Sequence, residues 1–179
     1  MGTAETLNYE KVWAMFQETA QRFKETDRKF KETDKKLGEL GNRFGELAEH
    51  LVAPNIRQKF NELGFKFEQM SQNIEIADLN DNLIAEIDLL LENGDTVIVV
   101  EVKAKPLQRD IKDHIKRMDI LRRRADTRKD KRKYQGAIAG AIMSKEIRNF
   151  AHKTGLYVIE QSGDTVKISI PENFKPREW

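Results

Sequence analysis

RFKETDR (22–28) is followed directly by KFKETDK (29–35), and a near-duplication of seven residues leaves few folds open to its segment. Extending the frame gives Tyr9, Phe16, Phe23, Phe30, Leu37, Phe44 and Leu51 at one position. Three residues on come Val12, Thr19, Thr26, Thr33, Leu40 and Leu47. A seven-residue repeat with one unbroken large apolar position predicts a coiled-coil helix, the Phe series at a and the Thr/Leu series at d. A lone helix would leave those rings in water, so the segment needs partners. The flanking charges set their direction. Position g carries Arg22, Lys29 and Lys36, and position e carries Ala20, Asp27 and Asp34. In a parallel pair g faces e of the next heptad, Arg22 against Asp27 and Lys29 against Asp34, whereas an antiparallel pair sets base against base. The expectation is a parallel homo-oligomer through residues 9–51, its strand number left open by the unusual Phe/Thr pairing.

Beyond the array the helix weakens. Gly38, Gly41 and Gly45 each cost about 1 kcal/mol relative to Ala, and Pro54 is expected to break or kink the helix. NIRQKFNEL (55–63) resumes it, stopped by Gly64. From there the period changes. FKFEQMSQNIEIADLN alternates like a strand, NLIAEIDLLLE (82–92) is a second, and Asn93-Gly94-Asp95 reads as the commonest kind of hairpin turn. TVIVVEVKAK (96–105) is a β-branched run expected to be buried on both faces. A helix over 107–124, a basic linker, the strand GAIAGAIM (136–143), a helix over 144–154 and the strands LYVIEQ and TVKISI complete the order α-β-β-β-α-β-α-β-β. That order predicts an α/β domain with a mixed sheet. The division expected is a coiled-coil helix, 1–51, and a globular domain, 52–179.

Charge and composition exclude several function classes. Cysteine is absent, which removes disulfides, thiolate metal sites and cysteine nucleophiles, and three scattered His do not make a histidine metal site. No apolar run reaches membrane-span length, and the N-terminus lacks a signal-peptide pattern. A soluble cytoplasmic protein is expected. The near-balanced total of 32 Lys+Arg and 30 Asp+Glu hides a sharp asymmetry. Residues 67–102 carry nine acids and no Lys or Arg, while 103–133 carry fourteen Lys+Arg against five Asp. Two reasons for this are open: two solvated faces of opposite sign, or an acidic metal centre beside a surface that attracts polyanions.

The chemistry concentrates on the central hairpin. Asp88 precedes the turn; Glu101 and Lys103 follow it and share one strand face, as do Glu86 and Asp88. An antiparallel hairpin sets Asp88 beside Glu101, and two such carboxylates repel unless a divalent cation joins them.

Glu86-Ile87-Asp88 followed by Glu101-Val102-Lys103 resembles the signature of the PD-(D/E)XK nuclease superfamily, and EIDLLLENGDTVIVVEVKAK is similar to its small resolvase-like branch. The whole chain also resembles an uncharacterised prokaryotic group that joins a coiled coil to such a domain. Ile87 stands where the family name has Pro. The resemblance implies a restriction-endonuclease-like mixed sheet flanked by helices, behind a long N-terminal coiled-coil helix. It also implies a metal-dependent phosphodiesterase acting on DNA. Asp88, Glu101 and the Val102 carbonyl would hold Mg²⁺, with Mn²⁺ able to substitute. Lys103 would orient the attacking water and steady the phosphate. A helix acid often completes such sites, and Glu46 or, preferably, Glu49 are candidates here, with Glu86 a further one. Gln108 is a weaker candidate for substrate or water contact.

The run RRRADTRKDKRK (122–133) supplies candidate phosphate contacts at Arg122, Arg123, Arg124, Lys131, Arg132 and Lys133. It has no interleaved aromatics before Tyr134, which gives single-strand stacking little support. Gly136 and Gly140 read as close packing around a strand, His50, His114 and His152 as surface or helix residues, and Trp13 and Trp179 as packing or contact residues. The alternative function is a catalytically silent nuclease-fold module that binds nucleic acid or protein, with the coiled coil as its working part.

Overall fold

The computed structural model describes residues 9–78, 81–163 and 165–179; along 37–52 it describes the helical backbone but not the side chains. The chain divides into two units, Met1–Arg43 and Phe44–Trp179. The element order is α1 (Tyr9–Glu62), β1 (Gln69–Ala77), β2 (Leu83–Glu92), β3 (Thr96–Lys103), α2 (Gln108–Thr127), β4 (Lys133–Gly140), α3 (Lys145–Lys153), β5 (Tyr157–Ser162) and β6 (Thr165–Ser169). It matches the expected order throughout.

In the first unit, the heptad stripe is exposed along one helix: Tyr9, Phe16, Phe23 and Phe30 all face solvent. Ion pairs one turn apart line its flanks. Glu18–Arg22, Glu25–Lys29 and Asp27–Lys31 lie at 2.6, 2.9 and 2.8 Å, each with the acid toward the N-terminus, the favourable sense for a helix. The d-position threonines are also satisfied within the helix. Thr19, Thr26 and Thr33 donate to the carbonyls of Met15, Arg22 and Lys29 at 2.7–2.8 Å. Their hydroxyls therefore need no partner elsewhere. The heptad positions from Leu37 to Leu51 lie outside the described side chains.

Pro54 does not end the helix. α1 passes through it to Glu62, and the expected limit at residues 51/52 falls inside this helix. The reason is packing in the second unit: Ala53, Ile56 and Phe60 are buried against the sheet, which offsets the hydrogen bond that proline removes. Phe60 meets Tyr157 edge-on with ring centroids 5.4 Å apart. Burying such a ring is worth roughly 1.5–3 kcal/mol. Gly64, at φ +96°, closes the helix as expected.

The six strands lie in chain order, β1 to β6. The first three are antiparallel, β3–β4 and β4–β5 are parallel, and β6 returns antiparallel to β5. The two parallel steps are the two with crossover helices, α2 and α3, as chain connectivity demands. β3 is buried over nearly its whole length. One cluster packs its Ile98, Val100 and Val102 with the end of α1, and another packs Val97 and Val99 with Met118 and Leu121 of α2. The β2–β3 turn departs from expectation. Neither Gly94 nor Asp95 adopts the positive φ that the commonest hairpin turns require. Instead the Asn93 side chain holds the corner, accepting from the Asp95 and Thr96 amides at 2.9 and 2.8 Å.

The glycines of β4 are packed as read: a Cβ on Gly136 would come within 2.5 Å of Leu156, and one on Gly140 within 2.7 Å of Pro106. Trp179 docks on the second unit, its indole N–H donating to Asp119 at 2.7 Å and its amide to the Tyr134 carbonyl.

Candidate functional site

The site begins where two strands part. β2 and β3 pair from Leu89↔Val100 to Glu92↔Val97 and no further. Toward its N-terminal end β2 pairs only with β1, and β3 continues only against β4. An irregularity marks the point. Asn73, which would face Asp88 across the β1–β2 ladder, has φ +50° and is missing from the register. The packing of β2 changes there as well. Leu89 and Leu91 belong to the cluster under α1, but Ala85 and Ile87 belong to the one with Met118 and Leu121.

Asp88 stands in the resulting gap. Its Oδ2 accepts a 2.6 Å hydrogen bond from the Val102 amide, a donor the opened ladder would otherwise leave unpaired. A strand residue's N–H and C=O lie on the same edge, which is why antiparallel pairs can exchange both bonds. The Val102 carbonyl therefore faces the same gap as Asp88. Glu101 and Lys103 flank it on one strand face, Lys103 Nζ lying 2.8 Å from Glu101 Oε1. Asp88, Glu101, Val102 and Lys103 thus lie around one gap, although the β2–β3 ladder itself ends before Asp88.

Two further residues were not expected. Arg117 of α2 binds Glu101 Oε2 through its guanidinium. His114, one turn earlier, is completely buried, with Nε2 3.2 Å from the Val99 carbonyl and Nδ1 3.9 Å from Glu101 Oε2. Burial pulls its pKa down to about 4, so the ring is neutral at pH 7. With Nε2–H donating to Val99, Nδ1 holds a lone pair and has no hydrogen-bond partner. The countercharges of Glu101 are therefore Lys103 and Arg117. Burial pushes the Glu101 carboxyl up, but the Lys103 hydrogen bond and the two cationic charges outweigh it and hold the carboxyl below its usual value. Burial likewise opposes the charge on Lys103, yet the Glu101 hydrogen bond, with the charges of Glu101 and Asp88, raises its pKa. Spacing held a signal for His114. Ile111, His114, Met118, Leu121 and Ala125 follow the 3-4-3-4 rhythm of one buried helix face.

Asp88, Glu101, Lys103 and Arg117 sum to zero charge. The donor set, two carboxylates and a peptide carbonyl around one gap, consists of hard oxygens and fits Mg²⁺ or Mn²⁺. Among the described residues no group of three metal-ligating side chains forms. The helix acids Glu46 and Glu49 lie outside the described side chains. Glu86 is exposed, opposite Glu75 in β1, and both border a recess of about 290 Å³ with Asn73 and Asp88. Gln108 donates to Glu146 of α3 at 3.3 Å.

The basic run comprises the last turns of α2, the connection over 128–132 and the first residue of β4, and several of its charges are engaged. Arg132 binds Asp130 at 2.7 Å and Glu92 at 2.8 Å, holding the Asp130 carboxyl well below the usual range. Arg122 pairs with Asp126 and lies over the Tyr134 ring. Arg124 donates to the Ala77 carbonyl, and Lys133 pairs with Glu178. Arg123 donates to the Asp119 carbonyl one turn back on its own helix. Lys131 is exposed.

No family model matches the chain, and no curated protein does. Among solved structures the chain is similar to the small subunit (R.BspD6I2) of the heterodimeric restriction endonuclease R.BspD6I, at 19% identity and a TM-score of 0.31. The match covers 60% of this chain and 59% of that one. The second unit is a mixed α/β domain, its six-stranded sheet flanked by helices.

Proposed function

We propose that the chain is a metal-dependent phosphodiesterase that cuts DNA in the cytoplasm, built on a restriction-endonuclease-like domain. One observation carries the reading: Asp88 reaches from β2 to the Val102 amide, in the gap flanked by Glu101 and Lys103. Asp88, Glu101 and the Val102 carbonyl would hold the metal, which supplies an activated water and neutralises phosphate charge. Lys103 keeps its proton, its pKa being raised, and would present an ammonium to a phosphate oxygen. Arg117 can turn from Glu101 to the same phosphate once that carboxylate has another cation. Because the four side chains are already neutral together, metal and phosphate should bind as a pair. The exposed aromatic stripe and the satisfied threonines of α1 support a parallel homo-oligomer through residues 9–51.

One observation favours a silent nucleic-acid or protein-binding module: Glu101 is already neutralised, with no third acid at hand among the described residues. Calorimetry with Mn²⁺, with and without DNA, separates the two. Wild type should bind the ion and Asp88→Asn should lose it, and linear, circular, single-stranded or branched DNA should be cut by wild type alone. No binding even with DNA present would leave the silent module as the reading.

A further inference from the structure

A cavity of about 160 Å³ lies between the β1–β2 ladder and α2, within the second unit. Its floor is apolar: Ile74, Ile76 and Ile87 from the strands, and Leu121 and Ala125 from the helix. Its mouth is cationic, with Arg124 and Arg128 one helical turn apart. Arg128 is exposed, and among the described residues its guanidinium has no partner. A dry cavity of about 150 Å³ accepts one benzene ring, so this one has room for a single flat ring and no more. Asp130 and the Tyr134 ring also line it, adding an acceptor that a ring N–H such as that of thymine could meet. Ile74 and Ile87 also border the recess beside Asp88, whose Glu75 and Glu86 alternate to the opposite face of the β1–β2 ladder.

We infer that this cavity receives one unstacked base of a single nucleic-acid strand, with Arg124 and Arg128 on the adjoining phosphates. An apolar slot with a cationic rim suits a ligand whose flat apolar part is joined to anions. A strand lying from the cavity toward Asp88 would follow α2, on which Arg124 and Arg128 stand about 10 and 16 Å beyond Arg117. The sequence hid this feature, because the apolar residues that replace interleaved aromatics come from two strands and a helix. The inference names the form of nucleic acid met by the proposed active site and rests on that reading only for cleavage.

The test is binding in chelator, where no cutting occurs, so loss of the nuclease reading would leave it standing. Fluorescence anisotropy compares a twelve-residue thymidine oligonucleotide with a twelve-residue strand of abasic sites carrying the same phosphates. The abasic strand should bind about tenfold more weakly, the scale of one base contact. Ala125→Leu, which fills the slot, should erase that difference, with its thermal midpoint checked against wild type. Arg128→Gln, at an exposed position, should weaken both strands alike and lower the salt slope by about one. Equal affinity of wild type for the two strands would overturn the inference, as would failure to bind either. Thymidine monophosphate competing as well as the strand would overturn the assignment to a strand and point to a free nucleotide.

Discussion

His114 Nδ1 lies 3.9 Å from Glu101 Oε2 with no proton between them, and this places a stability switch under the site. The ring titrates at about 4 when folded, against its ordinary 6.5, because burial opposes its charge. Between those values the unfolded chain binds the extra proton, so stability is complete above pH 6.5 and declines as pH falls toward 4. The loss amounts to roughly 3 kcal/mol. His114→Gln keeps a donor for Val99 but cannot titrate. Urea midpoints at pH 7.5 and 4.5 without divalent ions should differ markedly for wild type and much less for the variant; parallel curves would refute the switch.

Lys103→Ala should abolish cleavage without weakening Mn²⁺ binding, because an ammonium is no ligand and its removal frees Glu101 Oε1. Glu101→Gln and Asp88→Asn should lose both. Arg117→Met, which frees Glu101 Oε2, should tighten Mn²⁺ binding several-fold in the absence of DNA. Calorimetry beside a cleavage assay reads all four. Activity surviving in purified Lys103→Ala and Glu101→Gln would end the assignment.

The basic run should divide into two kinds of residue. Arg132→Gln removes ion pairs to Asp130 and Glu92 and should cost about 1 kcal/mol in a thermal melt, since the side chain is only partly exposed. Arg123→Gln with Lys131→Gln should leave the melt unchanged while flattening the dependence of DNA affinity on salt. Identical salt slopes for that pair and wild type would show that these charges only solvate the surface.

Phe23→Asp combined with Phe30→Asp should dissociate the oligomer and leave the sheet domain folded. Each ring buried in the seam is worth roughly 1.5–3 kcal/mol per chain. Light scattering gives the mass and circular dichroism the fold. An unchanged mass would remove the coiled-coil assignment.

Short-range rules gave what could be read from the sequence. Glu101 and Lys103 share a face because strands alternate, and the heptad stripe follows from the helical repeat. Arg117 and His114 escaped because their role depends on where α2 lands on the sheet, a tertiary fact, although the spacing of His114 already placed it on the helix's apolar face. The passage of α1 through Pro54 is not legible locally, because propensity favours a break or kink and the burial of Ile56 and Phe60 carries the helix on. The bond from Asp88 to Val102 could not be foreseen either. It depends on β2 leaving β3 beyond the Leu89↔Val100 pair, and Asn73 on a third strand marks where that happens.

That bond gives Asp88 two occupations at once. It can ligate a cation, and it also closes a gap in the backbone ladder, so its removal leaves a donor stranded whether or not the protein cuts anything. Lys103, about two-fifths exposed, shares the neutralising of Glu101 with Arg117 and holds no backbone group. A descendant that stopped cleaving would therefore shed its lysine first and keep its aspartate longest. In chains of this architecture the lysine is the better witness to catalysis, and the aspartate testifies mainly to the opening of the sheet.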